Sequence, residues 1–222
     1  LREKLAEEMQ KAPLPVSNMR LSDCIRHWLT RVQRRVDEVT YLGYLHTAEK
    51  QVLPYFDASG LTLRDCTVKA LQAYFDEKSN GGRLDGKGGL SAKTMRHHRN
   101  IIRQALAEAV KEGLMTNNPC EYVELPRHER YEATFYSAEQ LQKLFDVMKE
   151  DPMLPLVKIT ALYGLRRSEV LGLKWDSVDF DNTCLLIRHT VCKMMTRIEK
   201  DKTKTQSSRR SFPLTLEARS IF

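Results

Sequence analysis

A chain of 222 residues, 41% of them apolar, holds enough material for one large or two small packed domains. Its formal charge of +7 points to a polyanionic partner, and no apolar run approaches the ~18 residues of a membrane-spanning helix. The five cysteines, Cys24, Cys66, Cys120, Cys184 and Cys192, are odd in number and never spaced as CxxC, which argues against a disulfide framework or a structural zinc and for a reducing, cytoplasmic setting.

The opening LREKLAEEMQKA reads as a short charged helix, stopped by the prolines of APLPV. It starts in helical text without a methionine, and the chain closes on LEARSIF, an unfinished helix. The sequence therefore reads as a piece of a longer protein. In LSDCIRHWLTRV, Ser22 is the expected cap, and Ile25, Trp28, Leu29 and Val32 form an apolar stripe at helical spacing. A second helix is expected from Val39 to Phe56, around Tyr41, Leu45, Ala48, Val52 and Leu53, with Thr40 to Tyr44 read as a turn at its start. A third is expected from Val68 to Glu77. The stretch SNGGRLDGKGGL carries five of the ten glycines and reads as a mobile connector or hairpin. The fourth helix, SAKTMRHHRNIIRQALAEAVKEG, is capped by Ser91 and ended by Gly113, completing an all-α bundle.

TNNPCEYVELPRHERYEATFY breaks the periodicity with prolines and charge, as an interdomain linker does. Ser137 and Gln140 then form a capping box, and a further helix runs from Pro155 to Tyr163. CLLIRHTV reads as a strand and SRRSFPLT as its partner.

Basic residues concentrate in two places. At the start of the fourth helix stand Lys93, Thr94, Arg96, His97, Arg99, Asn100 and Arg103, and positions 96, 99/100 and 103 share one face. The helix N-terminus adds backbone donors suited to phosphate. In the second unit Arg188, Lys193, Arg197, Lys200, Lys202, Lys204, Arg209 and Arg210 are offset only by Glu199 and Asp201, a repulsive hairpin unless it meets an anion. Thr40, Tyr41 and Tyr44 are weaker candidates for phosphate contact, at least one tyrosine being expected in the core.

ALYGLRRSEVLGLKWDSVDF raises a separate question, because Arg166 and Arg167 interrupt an apolar run. Gly164 suits the left-handed end of the preceding helix, and Leu165 is expected to turn inward. A new helix is expected through Val170, Leu171 and Leu173 to Trp175. That places Arg166 at a tight junction between buried helices, where desolvation calls for an anion-directed role. Glu169, three residues on, is placed to hold an arginine by a charge-assisted bond.

These residues carry a resemblance. GLRRSEVLGLKWDSVDF resembles the first catalytic box of the tyrosine recombinases, the phage-integrase family, and DKTKTQSSRRSFPL is similar to that family's lysine-bearing β-hairpin. The text is most similar to integrases of phages and conjugative transposons of Gram-positive bacteria. The resemblance implies a mainly α fold with a small antiparallel β-sheet, in which a helical core-binding domain precedes a partial mixed α/β catalytic domain. The implied boundaries are a connector helix over 1–16, leading from a missing N-terminal domain; the core-binding domain over 17–120; a linker over 121–133; and the truncated catalytic domain over 134–222.

The implied chemistry is attack of a tyrosine on a DNA phosphodiester, giving a 3′-phosphotyrosyl bond without metal, nucleotide or other cofactor. By its place in the box, Arg166 is the implied catalytic arginine and Glu169 its support, while Arg167 reads as a phosphate or surface contact. Lys202, in DKT, is the implied general acid, with Lys204 the alternative. Arg209 and Arg210 are expected on DNA. The nucleophilic tyrosine is expected after Phe222, so this piece is expected to bind DNA without cleaving it. The implied partners are double-stranded DNA at element ends, a homo-tetramer on that DNA, and excision or DNA-bending factors, in a bacterial cytoplasm at the nucleoid. A non-catalytic architectural protein is the alternative; retention of Arg166, Glu169 and Lys202 argues against it.

Overall fold

Residues 17–127, 132–193, 197–200 and 210–222 are described by the computed structural model, which divides into two units, Leu1–Arg130 and Tyr131–Phe222. The fold is mainly helical with a small antiparallel sheet.

The first unit opens with α1 (Leu21–Val32), which buries Leu21, Cys24, Ile25, Trp28, Leu29 and Val32 along one face. Ser22 does not cap it. The helix starts two residues earlier, with Arg20 in the N-cap position and Ser22 wholly buried in the first turn. Tertiary backbone bonds decide this start: Leu21 N–H donates to Leu61 O (2.8 Å), and Arg20 bridges to Thr62.

The second expected helix is a continuous helical run, α2 (Glu38–Thr47), a π turn (Ala48–Val52) and α3 (Leu53–Ser59). Thr40 to Tyr44 are thus helical rather than a turn, because Asp37 caps α2 by accepting from Val39 N–H at 3.0 Å. The π turn falls just before Pro54, whose missing N–H cannot continue an α ladder.

Helix α4 (Val68–Gly81) outruns its expected end at Glu77 by one turn. The glycine-rich stretch after it is pinned, not loose. Leu90 N–H donates to Lys78 O at 2.8 Å, Arg83 N–H donates to Gly88 O at 3.1 Å, and Arg83 forks onto Asp85. Gly89 lies against the α4 backbone, where an added Cβ would stand 1.6 Å from Ser79 O. Helix α5 (Ala92–Lys111) begins at the Ser91 cap and packs on α1. Arg31 of α1 pairs with both Glu108 and Glu112 near its end.

Tyr74, Phe56 and Phe75 form the aromatic centre of this unit, with Tyr74 4.9 Å from Phe56 and 5.1 Å from Phe75 between ring centroids. Tyr74 also hydrogen-bonds His98 Nδ1 at 2.7 Å, while His98 Nε2 is buried without a partner. Burial, with Lys78 and His97 nearby, lowers the His98 pKa to about 4. A histidine held neutral contributes stability that is whole above its ordinary value of 6.5 and is lost as pH falls toward 4. The first unit is therefore expected to lose about 3 kcal/mol through this residue between pH 7 and pH 4. Urea unfolding followed by fluorescence of the buried Trp28 across that range checks it, and the Tyr74→Phe/His98→Leu variant should flatten the slope.

In the second unit, α6 (Ala138–Val147) carries the expected capping box of Ser137 and Gln140. Helix α7 (Leu154–Tyr163) ends at Gly164 in the left-handed region, φ 59°. Helix α8 (Arg167–Val170) follows at once. It stops five residues short of the expected end at Trp175, which lies instead in a 3₁₀ turn with its ring largely exposed. The reason is Gly172, where a Cβ would meet Thr190 Cα at 2.7 Å and His189 O at 2.8 Å, so the chain leaves the helix to let that backbone approach.

CLLIRHTV is not one strand. It breaks at Arg188 and His189 into β2 (Cys184–Ile187) and β3 (Thr190–Lys193). With β1 (Val178–Asp179) and β5 (Arg210–Pro213), β2 forms a three-stranded antiparallel sheet, in which Leu185 faces Phe212 and Ile187 faces Arg210. Strand β3 pairs with β4 (Arg197–Lys200) in a separate hairpin. The core of this unit gathers Ile159, Leu165, Val170, Val178, Leu185, Ile187 and Leu214, closed by Ala218 of α9 (Leu216–Arg219).

Candidate functional site

The basic face of α5 is real and partly braced. Arg96, Arg99, Asn100 and Arg103 line a concavity of about 610 Å³ together with Leu125, Pro126 and Arg127. Arg99 donates from Nε to Cys120 O (3.2 Å) and from Nη2 to Glu121 O (2.9 Å), and Arg103 pairs with the Glu121 carboxylate at 3.2 Å. These bonds fix both guanidinium groups against the 3₁₀ turn Pro119–Tyr122. Lys93, Arg96 and His97 are exposed, and Thr94 is half-buried with its hydroxyl 2.9 Å from Ser91 Oγ. Sequence reasoning missed Arg127, because LPRHER was read as linker. Residues just before it belong to the first unit, with Val123 buried and Glu124 exchanging hydrogen bonds with Gln72 at 2.9 and 3.1 Å.

Thr40 is exposed on α2, and Tyr41 and Tyr44 are half-buried against the core. Tyr44 leans on Trp28 at 5.3 Å, so it is a packing residue, and Tyr41 lines a different hollow with Arg26, Leu29 and Asp57. Burial pushes the thiols of Cys24, Cys66 and Cys120 up to about 12, which makes them inert packing groups.

The second site is built around a buried carboxylate. Glu169, with 2% of its side chain exposed, accepts four hydrogen bonds from described residues. Arg166 gives its backbone N–H to Oε2 (2.9 Å) and Nη1 to Oε1 (2.9 Å). Arg210 gives Nη1 to Oε1 (3.1 Å) and Nη2 to Oε2 (2.9 Å). Burial pushes the Glu169 carboxyl up, but the bonds from Arg210 and Arg166 outweigh it and hold the group below the ordinary carboxylate range.

This arrangement corrects one expectation and adds a contact that sequence reasoning did not foresee. Arg166 is not desolvated between buried helices: it occupies the N-cap position of α8, and 63% of its side chain is exposed. The buried charge is its partner. Arg210, expected on DNA, spends both terminal nitrogens on Glu169, a contact spanning 41 residues of sequence that no local pattern reveals. Arg167 is exposed in the first turn of α8. Lys202, Lys204 and Arg209 lie outside the described residues. Chemically, the arrangement presents a planar cation at a fixed helix junction, suited to a tetrahedral or pentavalent phosphate. Among the described residues, no group of three or more His, Cys, Asp or Glu is placed to hold a metal, and no helix is long and apolar enough to cross a membrane.

Comparison with known proteins follows the same lines. A family model described as the phage integrase SAM-like domain matches residues 21–128. A tyrosine recombinase XerC-like protein of Caldanaerobacter subterraneus subsp. tengcongensis is 27% identical over 214 residues, covering 87% of this chain and 52% of the relative. The ICEBs1 integrase of Bacillus subtilis is 28% identical over 93 residues, 41% of this chain and 25% of that protein. Among solved structures, the Tn1549 transposon integrase in complex with a circular intermediate DNA superposes with a TM-score of 0.69 at 18% identity, over 92% of this chain and 64% of that one. A lambda integrase tetramer bound to a Holliday junction gives 0.67 at 16% identity, over 91% and 55%. At these identities the structural likeness is one of fold. The chain spans about half the length of the first of these curated relatives, and less of the second.

Proposed function

We infer that this chain is a member of the tyrosine recombinase (phage integrase) family, and that it is the DNA-gripping and arginine-bearing part of a site-specific recombinase that integrates and excises a mobile element. The observation that carries this reading is the exposed guanidinium of Arg166 anchored on a buried carboxylate. Duplex binding alone has no need of such an anchor.

In this reading the helical unit grips the duplex through the α5 concavity, the exposed Arg96 and Arg127 facing backbone phosphates beside the braced Arg99 and Arg103. Arg166 sits on the non-bridging oxygens of the scissile phosphate and stabilises the charge that grows there. A tyrosine supplied by the full-length protein attacks phosphorus, a phosphotyrosyl bond forms at the 3′ end, and the 5′-oxygen leaves with a proton. Lys202, or Lys204 in its place, gives that proton. The phosphotyrosyl bond keeps the energy of the broken phosphodiester, so rejoining needs no other energy source. Residues 1–16 serve as a connector, and 17–120 and 134–222 as the two gripping domains; of the linker proposed over 121–133, the part up to Arg127 packs on the first domain and extends its grip. The full-length protein works as a tetramer on two duplexes, with bending or excision factors as partners.

Duplex affinity of this chain over a salt series tests the grip. Tight binding at low salt, a steep loss with added salt and partial retention on a scrambled duplex are expected. Arg96→Ala with Arg127→Ala should lower the log–log salt slope by about two, one per phosphate contact. No binding at low salt would remove the helical unit from the reading.

A further inference from the structure

We propose that Arg210 is a positioning residue for strand cleavage: it holds the Glu169 carboxylate on which Arg166 is mounted and locks that mount to the strand leaving the basic hairpin. The proposal rests on the recombinase reading above. Three observations carry it.

First, the Arg210 fork is bidentate, one nitrogen to each carboxylate oxygen at 3.1 and 2.9 Å, and the same oxygens receive Arg166. A planar fork on a planar carboxylate fixes rotation of that group as well as its place. The orientation of Glu169 in turn sets the direction in which Arg166 points.

Second, Arg210 is the first residue of β5, paired with Ile187, and it directly follows the stretch that contains Lys202 and Lys204. One side chain thus ties the helix junction of Arg166 to β5, whose first residue it is. A shift of either element is felt by the other.

Third, Arg210 is itself held. Its guanidinium lies 5.2 Å from the Phe212 ring centroid, Phe212 packs on Tyr163 at 5.1 Å, and Tyr163 OH donates to Pro213 O at 3.0 Å. The brace runs from α7 through β5 to Glu169. A residue whose task was to meet phosphate would not place both terminal nitrogens on a carboxylate with 2% exposure.

The test uses the full-length protein carrying Arg210→Met, Arg210→Lys or Arg210→Met/Glu169→Gln, on nicked duplexes bearing the ends of the encoding element. Measured are duplex affinity across salt, the single-turnover rate of covalent adduct formation at saturating duplex, the pH at which that rate falls on the acid side, and thermal stability. Arg210→Met is expected to leave affinity and salt slope at the wild-type values and to slow cleavage on the order of 10²-fold, the cost of a slightly misplaced group. The acid limb should move to higher pH, since Glu169 protonates more readily with one guanidinium removed. Arg210→Lys keeps the charge without the fork and should recover part of both. The double variant removes the uncompensated charge and should recover stability, yet cleavage should stay slow, because Arg166 has lost its carboxylate.

An affinity loss with a salt slope lowered by about one, at an unchanged single-turnover rate, makes Arg210 a phosphate contact and overturns the proposal. Full recovery of rate in the double variant makes Arg210 a charge-balancing residue and overturns it equally. A wild-type protein that binds duplex but never forms the adduct overturns the recombinase reading, and the role of Arg210 falls with it.

Discussion

Arg166→Ala in the full-length protein is expected to slow covalent strand cleavage by roughly 10³- to 10⁵-fold, the range over which a single arginine acts in phosphoryl transfer. Duplex affinity should hardly move, because the proposed grip is distributed over many phosphate contacts. The asymmetry follows from geometry. Arg166 is mounted by its own N–H and by Nη1 on Glu169, so alanine keeps the backbone bond and removes the guanidinium alone. Arg166→Lys keeps a point charge but cannot reproduce the planar fork, and should recover only a small part of the rate. Single-turnover adduct formation beside equilibrium duplex binding separates the outcomes. Parallel loss of binding and cleavage would make Arg166 a docking residue and remove the mechanistic reading.

The second large effect is on stability. Glu169→Leu removes the buried carboxylate and leaves the solvent-reachable guanidinium groups of Arg166 and Arg210 without their acceptor, a loss of about 1.5–3 kcal/mol. Its pH dependence identifies the cause. The Glu169 carboxyl is held below its ordinary value of 4.5, so the stability it contributes is whole above that value and is lost as pH falls through the lowered one. The gap between wild type and Glu169→Leu, measured by denaturant unfolding or by hydrogen exchange of the second unit, should be complete at pH 7. It should narrow progressively below about pH 4.5. A gap that persisted unchanged into acid would be a packing defect instead. Glu169→Gln, which keeps an acceptor oxygen, should cost less at neutral pH.

The half of this site that the sequence makes legible is the half with local spacing. Arg166 and Glu169 stand three residues apart after a helix-ending glycine, and that spacing forces their meeting. Arg210 is reached only through the register of β5 on β2, which depends on where the intervening chain returns. Arg127 escaped for a related reason: a proline and a run of charge look like a linker whether or not the chain is folding back on a helix.

The fold divides the same way. The stripes of α1 and α5 and the caps at Ser91 and Ser137 follow from periodicity and are observed. The misplaced boundaries lie where tertiary backbone contacts overrule propensity. Leu61 fixes the start of α1, the Lys78 carbonyl holds the far side of the glycine-rich turn, and the approach of Thr190 to Gly172 ends α8 early. Each of these competitors lies ten or more residues away in sequence, beyond the reach of a pattern.

The register of Ile187 opposite Arg210 makes the chain between them a cassette. Among the described residues the three-stranded sheet registers the two ends of this interval, and closing a longer loop between fixed ends costs roughly 0.6 kcal/mol per doubling of its length. Such a segment can be lengthened or exchanged with little penalty to the core, provided that Thr190 still meets Gly172 and Arg210 still closes the frame. Two boundary conditions are few for a graft. If the proposed function holds, exchanging this interval for that of another integrase should change the DNA contacts and leave the Arg166–Glu169–Arg210 mount in place.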